Sequence, residues 1–330
     1  MSGRVVLLGD INLDAILQLV GELPKPGGDG LANRLVTSIG GGICNTAITL
    51  RRFGVSAALI ACVGQDVWAQ AVLPDLEAMG INLMGVQRNP QAATGIAFIA
   101  ITPDGERTMF SCRGANGLLR AEAIPAVLFD EAVLLQLSAY ALLDNSQREA
   151  LWRAVAMAEE RSIPISLDLM SEPARQYAEE VHRLLPRLSL CVLGIEEANF
   201  AFRLTEPQTI ATYLLERGVR MVGLKLGHNG CLVADQKQFV RLPAFPVQAV
   251  DSTGAGDAFC AGLIYGWLRG WDAFLCAGLA AALGALATTT WGAGLGMPGR
   301  EAALAYLSNL VDRTVDGELR SVTLRLLEAL

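Results

Sequence analysis

Two histidines in 330 residues, His182 and His228, exclude a multi-histidine metal centre. The seven cysteines (Cys44, Cys62, Cys112, Cys191, Cys231, Cys260, Cys276) are odd in number and scattered, with no C-x-x-C pair. Neither a disulfide framework nor a zinc site is expected from them; buried apolar thiols in a reducing cytosol are. Charge is sparse at 18% of residues, the net charge is −7, and Lys and Arg nowhere cluster, so no nucleic-acid surface is expected. The G-x-x-x-x-G-K-[ST], G-x-S-x-G and H-E-x-x-H patterns are all missing. Gly294 to Gly299 has the G-x-G-x-x-G spacing, but it follows an alanine-rich helical pattern instead of a strand and contains Pro298. It is not a dinucleotide fingerprint. Met1 to Arg4 leads directly into an apolar strand pattern, so no secretory leader is expected. The uncharged stretch Ala273 to Thr290 is mostly Ala, Gly and Thr, which suits a helix buried between close neighbours better than a membrane span.

What is present is apolar. Hydrophobic residues make up 52% of the chain, enough for one large α/β domain or two small ones. Short apolar runs at Val5-Leu8, Ala57-Val63, Ala132-Leu137, Ile163-Leu167, Leu188-Leu193 and Arg220-Leu226 read as buried strands. Helical patterns are expected at about Val67-Met79, Asn145-Arg161, Pro173-Leu184, Pro207-Arg217, Gly256-Leu268, Asp272-Thr289 and Arg300-Leu310. That alternation predicts a mostly parallel sheet covered on both faces. Gly21 to Asn33 reads as a surface excursion, and the glycine run Ser38 to Asn45 as the opening of a helix continuing to Phe53. Thr94-Ile101 and Arg107-Cys112 flank a Pro103-Asp104-Gly105 hairpin turn, and Cys231-Ala234 with Phe239-Arg241 forms a late antiparallel pair. No linker divides the chain, and the tail from Asp312 is amphipathic.

The stretch Ala249 to Phe259 carries the sharpest chemistry. In Gly254-Ala255-Gly256 no side chain larger than a methyl screens the backbone, so successive N–H groups can point at one anion, and the helix that follows adds its positive end. Asp257 comes next, placing a carboxylate beside an anion site, the pairing that phosphoryl transfer to a hydroxyl requires. The same residues also read as a glycine turn with an aspartate cap. Ligands of such sheets collect at the carboxyl ends of strands, where Asp10, Asn12, Asp14, Ser138, Asp168, Gly194 to Glu197 and Gly227 fall. Many carboxylates and no cationic cluster suggest a hydroxyl-rich ligand and a divalent cation for phosphates. Asn12 and Asp14, two apart, can chelate neighbouring hydroxyls or be turn residues. Gly40-Gly41-Gly42 with Asn45 allows close backbone approach or is a tight turn. Glu196 and Glu197 head a helix, and Gly227 and Gly230 suit a hairpin turn.

The order and spacing of these motifs resemble the ribokinase-like, phosphofructokinase-B-type (PfkB) carbohydrate kinases over nearly the whole length. The carrying segments are Gly9-Asp10-x-Asn12-x-Asp14, the glycine run with Asn45-x-Ala47, Cys62-Val63-Gly64-Gln65-Asp66, Thr94-Gly95 and Gly114-Ala115-Asn116. They continue through Leu226-Gly227-x-x-Gly230, Asp251-x-Thr253-Gly254-Ala255-Gly256-Asp257 and Gly292-Ala293. The resemblance implies a three-layer α/β/α sandwich spanning residues 1–330 as one domain, with a small β lid from about 14–38 and 94–113. It implies Asp257 as general base and the Gly254, Ala255 and Gly256 amides as an anion hole. Asp10, Asn12, Asp14, Gly41, Gly42, Asn45, Arg113 and Ser138 would serve the acceptor. Lys225, Gly227, Gly230, Thr253, Ala281 and Gly292 would serve ATP. Glu197, assisted by Asp168, would hold Mg2+ through water, and Asp251, Thr253, Ala293 and Gly296 a monovalent cation such as K+. The lid would close on the sugar and pair two subunits.

Departures from the family pattern bear on the substrate. Gly194 stands where the family usually has the Asn of Asn-x-x-Glu. Ribokinases proper carry a lysine at the position of Gly42 and a glutamate near Ser138, which speaks against ribose. Ala281 replaces an asparagine near the adenine, and Arg113 could reach an anionic substrate group or lie on the lid surface. The resulting expectation is a cytoplasmic ATP-dependent kinase of a small sugar. A nucleoside kinase and a catalytically weak sugar- or nucleotide-binding protein are the alternatives.

Overall fold

The computed structural model describes residues 3–104, 106–314 and 316–330, so Met1 at the expected leaderless start and Gly105 of the expected hairpin turn lie outside the described residues. Strand β1 (Arg4–Leu8) leads to β2 (Asn12–Leu19), β3 (Ala32–Gly40), helix α1 (Gly42–Arg52), β4 (Ser56–Gly64), α2 (Val67–Ala78) and β5 (Asn82–Asn89). The hairpin β6 (Gly95–Ile101) and β7 (Arg107–Cys112) precedes β8 (Ala132–Ser138), α3 (Asn145–Glu160), β9 (Ile165–Asp168), α4 (Ser171–Gln176) and α5 (Ala178–Leu184). Then come β10 (Leu190–Gly194), α6 (Ile195–Phe202), α7 (Pro207–Leu215), β11 (Met221–Lys225), β12 (Cys231–Asp235) and β13 (Phe239–Leu242). Helices α8 (Ala255–Leu268), α9 (Ala273–Ala287), α10 (Arg300–Val311) and α11 (Gly317–Ala329) complete the chain.

Nine strands form one sheet in the order β13-β12-β11-β10-β9-β8-β1-β4-β5. It is parallel from β5 to β11, with β12 and β13 added antiparallel. Both faces are buried, and β1 makes this plain. Val5 and Leu7 enter the core under α1, α2 and α8 to α11, while Val6 and Leu8 enter the core under α3 to α7. Alternate side chains of one short apolar run thus serve two cores. Because β1 lies between β4 and β8, chain connections leave it in both directions and open a crevice at its carboxyl end. A second sheet, β3-β2-β6-β7, covers that end with its own apolar face of Ile16, Ala97, Ile99 and Ile101.

Four sequence expectations change. The glycine run does not open α1 from Ser38: Ser38 to Gly40 end strand β3, and α1 begins at Gly42. The expected helix Pro173-Leu184 is broken at Tyr177, whose φ of −128° and ψ of 38° are non-helical. The Tyr177 hydroxyl donates to the Leu143 carbonyl at 3.1 Å and the Arg148 guanidinium stacks on its ring. Strand β5 was not expected, since as an edge strand it carries few buried apolar residues. The tail is the helix α11, packed on α9 so closely that a β-carbon at Gly278 would lie 2.3 Å from Val322 Cγ2. On its other side α9 meets α8, where a β-carbon at Gly262 would lie 2.7 Å from Ala280 Cα. The small residues that mimicked a membrane segment are there for this approach. Among the described residues no helix is long and apolar enough to cross a membrane.

Candidate active site

Asp257 stands in the first turn of α8, half-buried, three residues after Gly254, whose φ of 79° makes the turn. A residue with a β-carbon would be strained in that conformation. Asn45 Nδ2 donates to Asp257 Oδ2 at 2.7 Å, while Asn45 Oδ1 accepts the Gly294 amide at 2.9 Å. Thr46 Oγ1 donates to the Asp257 carbonyl at 3.3 Å. A β-carbon at Gly42 would come 2.9 Å from Asp257 Oδ1, so glycine at the start of α1 leaves that carboxylate oxygen uncrowded.

The rest of the rim faces the same place. Asp14, on β2, is buried, and a β-carbon at Gly40 would lie 1.9 Å from its Oδ1. Among the described residues the Asp14 carboxylate accepts no hydrogen bond. Burial pushes its carboxyl up to about 7, with Asp257 and then Asp251 adding to the rise. Asn12 Oδ1 accepts from Asn116 Nδ2 at 2.8 Å, and Asn116 also binds both the amide and the carbonyl of Ile11. A β-carbon at Gly41 would fall 2.1 Å from the Asp10 carbonyl, which brings the glycine run against the β1 end. Ser138 closes β8 beside Gly9, where a β-carbon would lie 2.8 Å from Ser138 Cβ. The Arg113 side chain is largely withdrawn from solvent, and protein groups engage its guanidinium. It grips Asp10 in bidentate fashion, Nη2 to Oδ1 at 2.9 Å and Nε to Oδ2 at 3.1 Å, and also bonds Asp144 and Gln147. Gln147 Nε2 in turn donates to Asp10 Oδ1 at 2.9 Å.

On the other side of the Gly254–Gly256 turn a cavity of about 490 Å³ opens between the β11–β12 turn and helices α8 and α9. Lys225, Gly227, Gly230 and Ala281 line it, with Phe245, Pro246, Val247 and Ala285 making most of its wall apolar. Thr253 and Gly292 are not on that wall. Both bind Asp251: Thr253 through its amide (2.9 Å) and hydroxyl (2.7 Å) to Oδ1, Gly292 through its amide (2.8 Å) to Oδ2. Of the other residues expected near a monovalent cation, Ala293 accepts Ser38 Oγ at 3.1 Å through its carbonyl, and the Gly296 carbonyl accepts Thr290 Oγ1 at 3.4 Å.

Asp168 pairs with Lys225, Nζ to Oδ1 at 3.0 Å. Burial raises the Asp168 carboxyl more than Lys225 lowers it, to about 6. Burial also works against the Lys225 charge, but Asp168 and then Glu197 outweigh it and hold the ammonium above the usual lysine range. Glu197 accepts the Gly194 amide at 2.8 Å and the Ser171 hydroxyl at 3.0 Å. Among the described residues no group of three or more His, Cys, Asp or Glu side chains could hold a metal by itself.

Several participants escaped the sequence reading. Gly40 was within the glycine run but not distinguished from its neighbours. Gln147 and Asp144, at the start of α3, carry no local signal. Phe245 to Val247 sit in an irregular segment whose only hint is its apolar character.

Residues 2–300 match the pfkB family carbohydrate kinase description. The chain is 29% identical over 310 residues to an ATP-dependent ribose-1-phosphate kinase of Halopiger xanaduensis, covering 94% of this chain and 99% of that one. Among solved structures it superposes on a putative ribokinase II from E. coli with a TM-score of 0.84 at 24% identity, covering 93% of this chain and 99% of the other. A ribokinase from Thermotoga maritima gives a TM-score of 0.78 at 26% identity over 93% and 100%. The sheet order, the smaller covering sheet and the match across residues 2–300 leave one assignment: this chain belongs to the pfkB family of carbohydrate kinases, with the ribokinase-like α/β fold.

Proposed function

We propose that this protein is an ATP-dependent kinase that phosphorylates a hydroxyl of a small carbohydrate. One observation carries the reading: the Asp257 carboxylate, hydrogen-bonded by Asn45 and near enough to Asp14 to help raise its carboxyl, directly follows the Gly254–Gly256 turn. The names of the relatives, a ribose-1-phosphate kinase and a ribokinase, support a sugar acceptor and ATP as donor.

Asp10, Asn12 and Asp14 accept and donate to the sugar hydroxyls and orient one of them toward Asp257. Gly41, Gly42 and Ser138 keep the floor low enough for the ring. Asp257 takes the hydroxyl proton as the acceptor oxygen bonds to the γ-phosphorus. The bond from that phosphorus to the β,γ-bridging oxygen breaks, and ADP leaves with the electron pair. The amides of Gly254, Ala255 and Gly256 stabilise the charge on the transferring group. The apolar cavity beside Phe245 and Ala281 suits a purine, and Gly227 and Gly230 keep the β11–β12 turn low at its mouth. Mg2+, when bound, neutralises the triphosphate; with Glu197 and Asp168 already bonded to protein groups, it would meet Glu197 through water. K+ would meet the Asp251 loop and the Ala293 and Gly296 carbonyls, next to the same turn. The β3-β2-β6-β7 sheet acts as the lid, and its exposed Leu35, Phe98 and Phe110 suit pairing of two subunits. Seven unpaired cysteines agree with a cytosolic site of action.

The test is a coupled ADP-release screen over sugars, sugar acids and nucleosides, with Asp257→Asn alongside. Turnover of the best acceptor falls by about 10²- to 10⁴-fold in the variant while ATP affinity survives. A nearly normal rate sinks the base assignment. Release with nucleosides alone replaces the sugar reading by a nucleoside kinase, and binding without release for every compound leaves only a binding protein.

A further inference from the structure

The nucleotide cavity has one cationic side chain at its inner end, and its neighbours explain why. In the β10–β11 pairing Lys225 sits directly across from Gly194, which offers no side chain. Nor could it without rearrangement, since a β-carbon at Gly194 would lie 2.4 Å from Glu197 Oε2. Of this register pair only Lys225 presents a polar head to the strand ends. That head reaches the glycine turn: a β-carbon at Gly256 would lie 3.3 Å from Lys225 Nζ. Asp168, almost fully buried, holds the ammonium from the other side at 3.0 Å. A lysine with four rotatable bonds is thereby fixed beside the backbone donors of the first turn of α8.

Resting on the kinase reading above, we infer that Lys225 is a catalytic residue: its ammonium contacts the terminal phosphoryl group of the nucleotide, and Asp168 is its positioning residue rather than a metal ligand. Two features of the site make this the productive arrangement. The amides of the glycine turn contribute partial charges, whereas a buried ammonium contributes a full one that needs no reorganisation during transfer. The chain is also acidic around the reacting centre, with Asp14, Asp257, Asp168 and Glu197 all bearing on it. A triphosphate approaching that rim meets repulsion unless a cation faces its far end. Lys225 moves no proton in the reaction; Asp257 receives the only one transferred.

The experiment measures binding to the full chain by calorimetry, with adenosine, MgADP and the Mg complex of the non-hydrolysable β,γ-imido analogue of ATP as probes. Lys225→Met is expected to leave adenosine affinity unchanged and to weaken the triphosphate analogue by about 10- to 100-fold, with a smaller loss for MgADP. The double variant Lys225→Met/Asp168→Asn removes both buried charges, so it separates loss of the ammonium from damage by an unpaired Asp168. It should fold as the wild type does and show the same selective loss. Asp168→Asn alone, which leaves the ammonium in place but unheld, should lose less, and raising Mg2+ should not restore the loss; restoration by Mg2+ would make Asp168 a metal ligand and overturn its positioning role. Equal weakening of adenosine and of the analogue, or no weakening of the analogue in the double variant, overturns the inference. A wild-type chain that binds none of the three probes overturns the nucleotide reading itself, and with it this one.

Discussion

Asn45 and Asp257, 212 residues apart, share a 2.7 Å hydrogen bond in which the amide donates to Oδ2, and the other end of the same amide is held by the Gly294 backbone. The direction of the bond is therefore fixed by the loop after α9, because the oxygen of Asn45 is already committed to an N–H. Asn45 can present only its NH₂ to the carboxylate. Asn45→Ala should lower kcat by about 10- to 100-fold with the KM for ATP unchanged, the effect of losing one bond to a charged group. Asn45→Asp should be worse, since it sets a second carboxylate against Asp257. If kcat and both KM values of Asn45→Ala match wild type, the bond does not orient Asp257.

Asp14 should make acceptor binding depend on pH. Its ordinary value is 3.8 and burial lifts it to about 7, so between these values the folded chain holds a proton that the unfolded chain has released. Stability from that proton is present at low pH and is lost as pH rises through 7, on the order of 4 kcal/mol in all. Sugar hydroxyls donate to the ionised form, so the acceptor KM should rise as pH falls from 8 to 6. Asp14→Asn should raise the Tm of the ligand-free protein more at pH 8 than at pH 5, while raising the acceptor KM at least ~10-fold. An equal Tm change at both pH values contradicts the assignment of this carboxyl.

Arg113 and Asp10 form a pair with little exposure, 18% and 8% of their side chains. Arg113→Ala leaves Asp10 without its main partner and should cost about 3–5 kcal/mol of stability along with acceptor affinity. Arg113→Lys should recover little, because one ammonium cannot reproduce the two parallel bonds to Asp10. The double change Arg113→Met/Asp10→Asn should be milder in Tm than Arg113→Ala. Should Arg113→Ala unfold at the wild-type temperature and selectively lose sugar acids, Arg113 is reading the substrate instead of holding Asp10.

Much of the sheet was legible because its strands are buried on both faces. Val5 to Leu8 shows as an uninterrupted apolar run for that reason, and the same holds for β4, β8, β10 and β11. Strand β5 was not legible: its partly exposed, polar positions make it look like a loop. The break at Tyr177 depends on a hydroxyl finding the Leu143 carbonyl, a contact no local pattern announces. At the rim, Gly254 to Asp257 could be read from spacing because a backbone turn and the residue after it are consecutive. The Lys225–Asp168 pair could not, since the two lie 57 residues apart on strands joined through β10. Arg113 was visible as a charge near the acceptor motif, but its engagement by Asp10, Asp144 and Gln147 needed three separate elements to converge.

Strand β3 is tied to the loop that follows α9 by the bond from Ser38 Oγ to the Ala293 carbonyl, and a β-carbon at Gly294 would fall 2.6 Å from that same hydroxyl. The four-stranded cover is consequently not a detachable module. Grafting a foreign one to change acceptor preference means carrying residues 292–294 across with it, since those three backbone positions are its seat on the larger body.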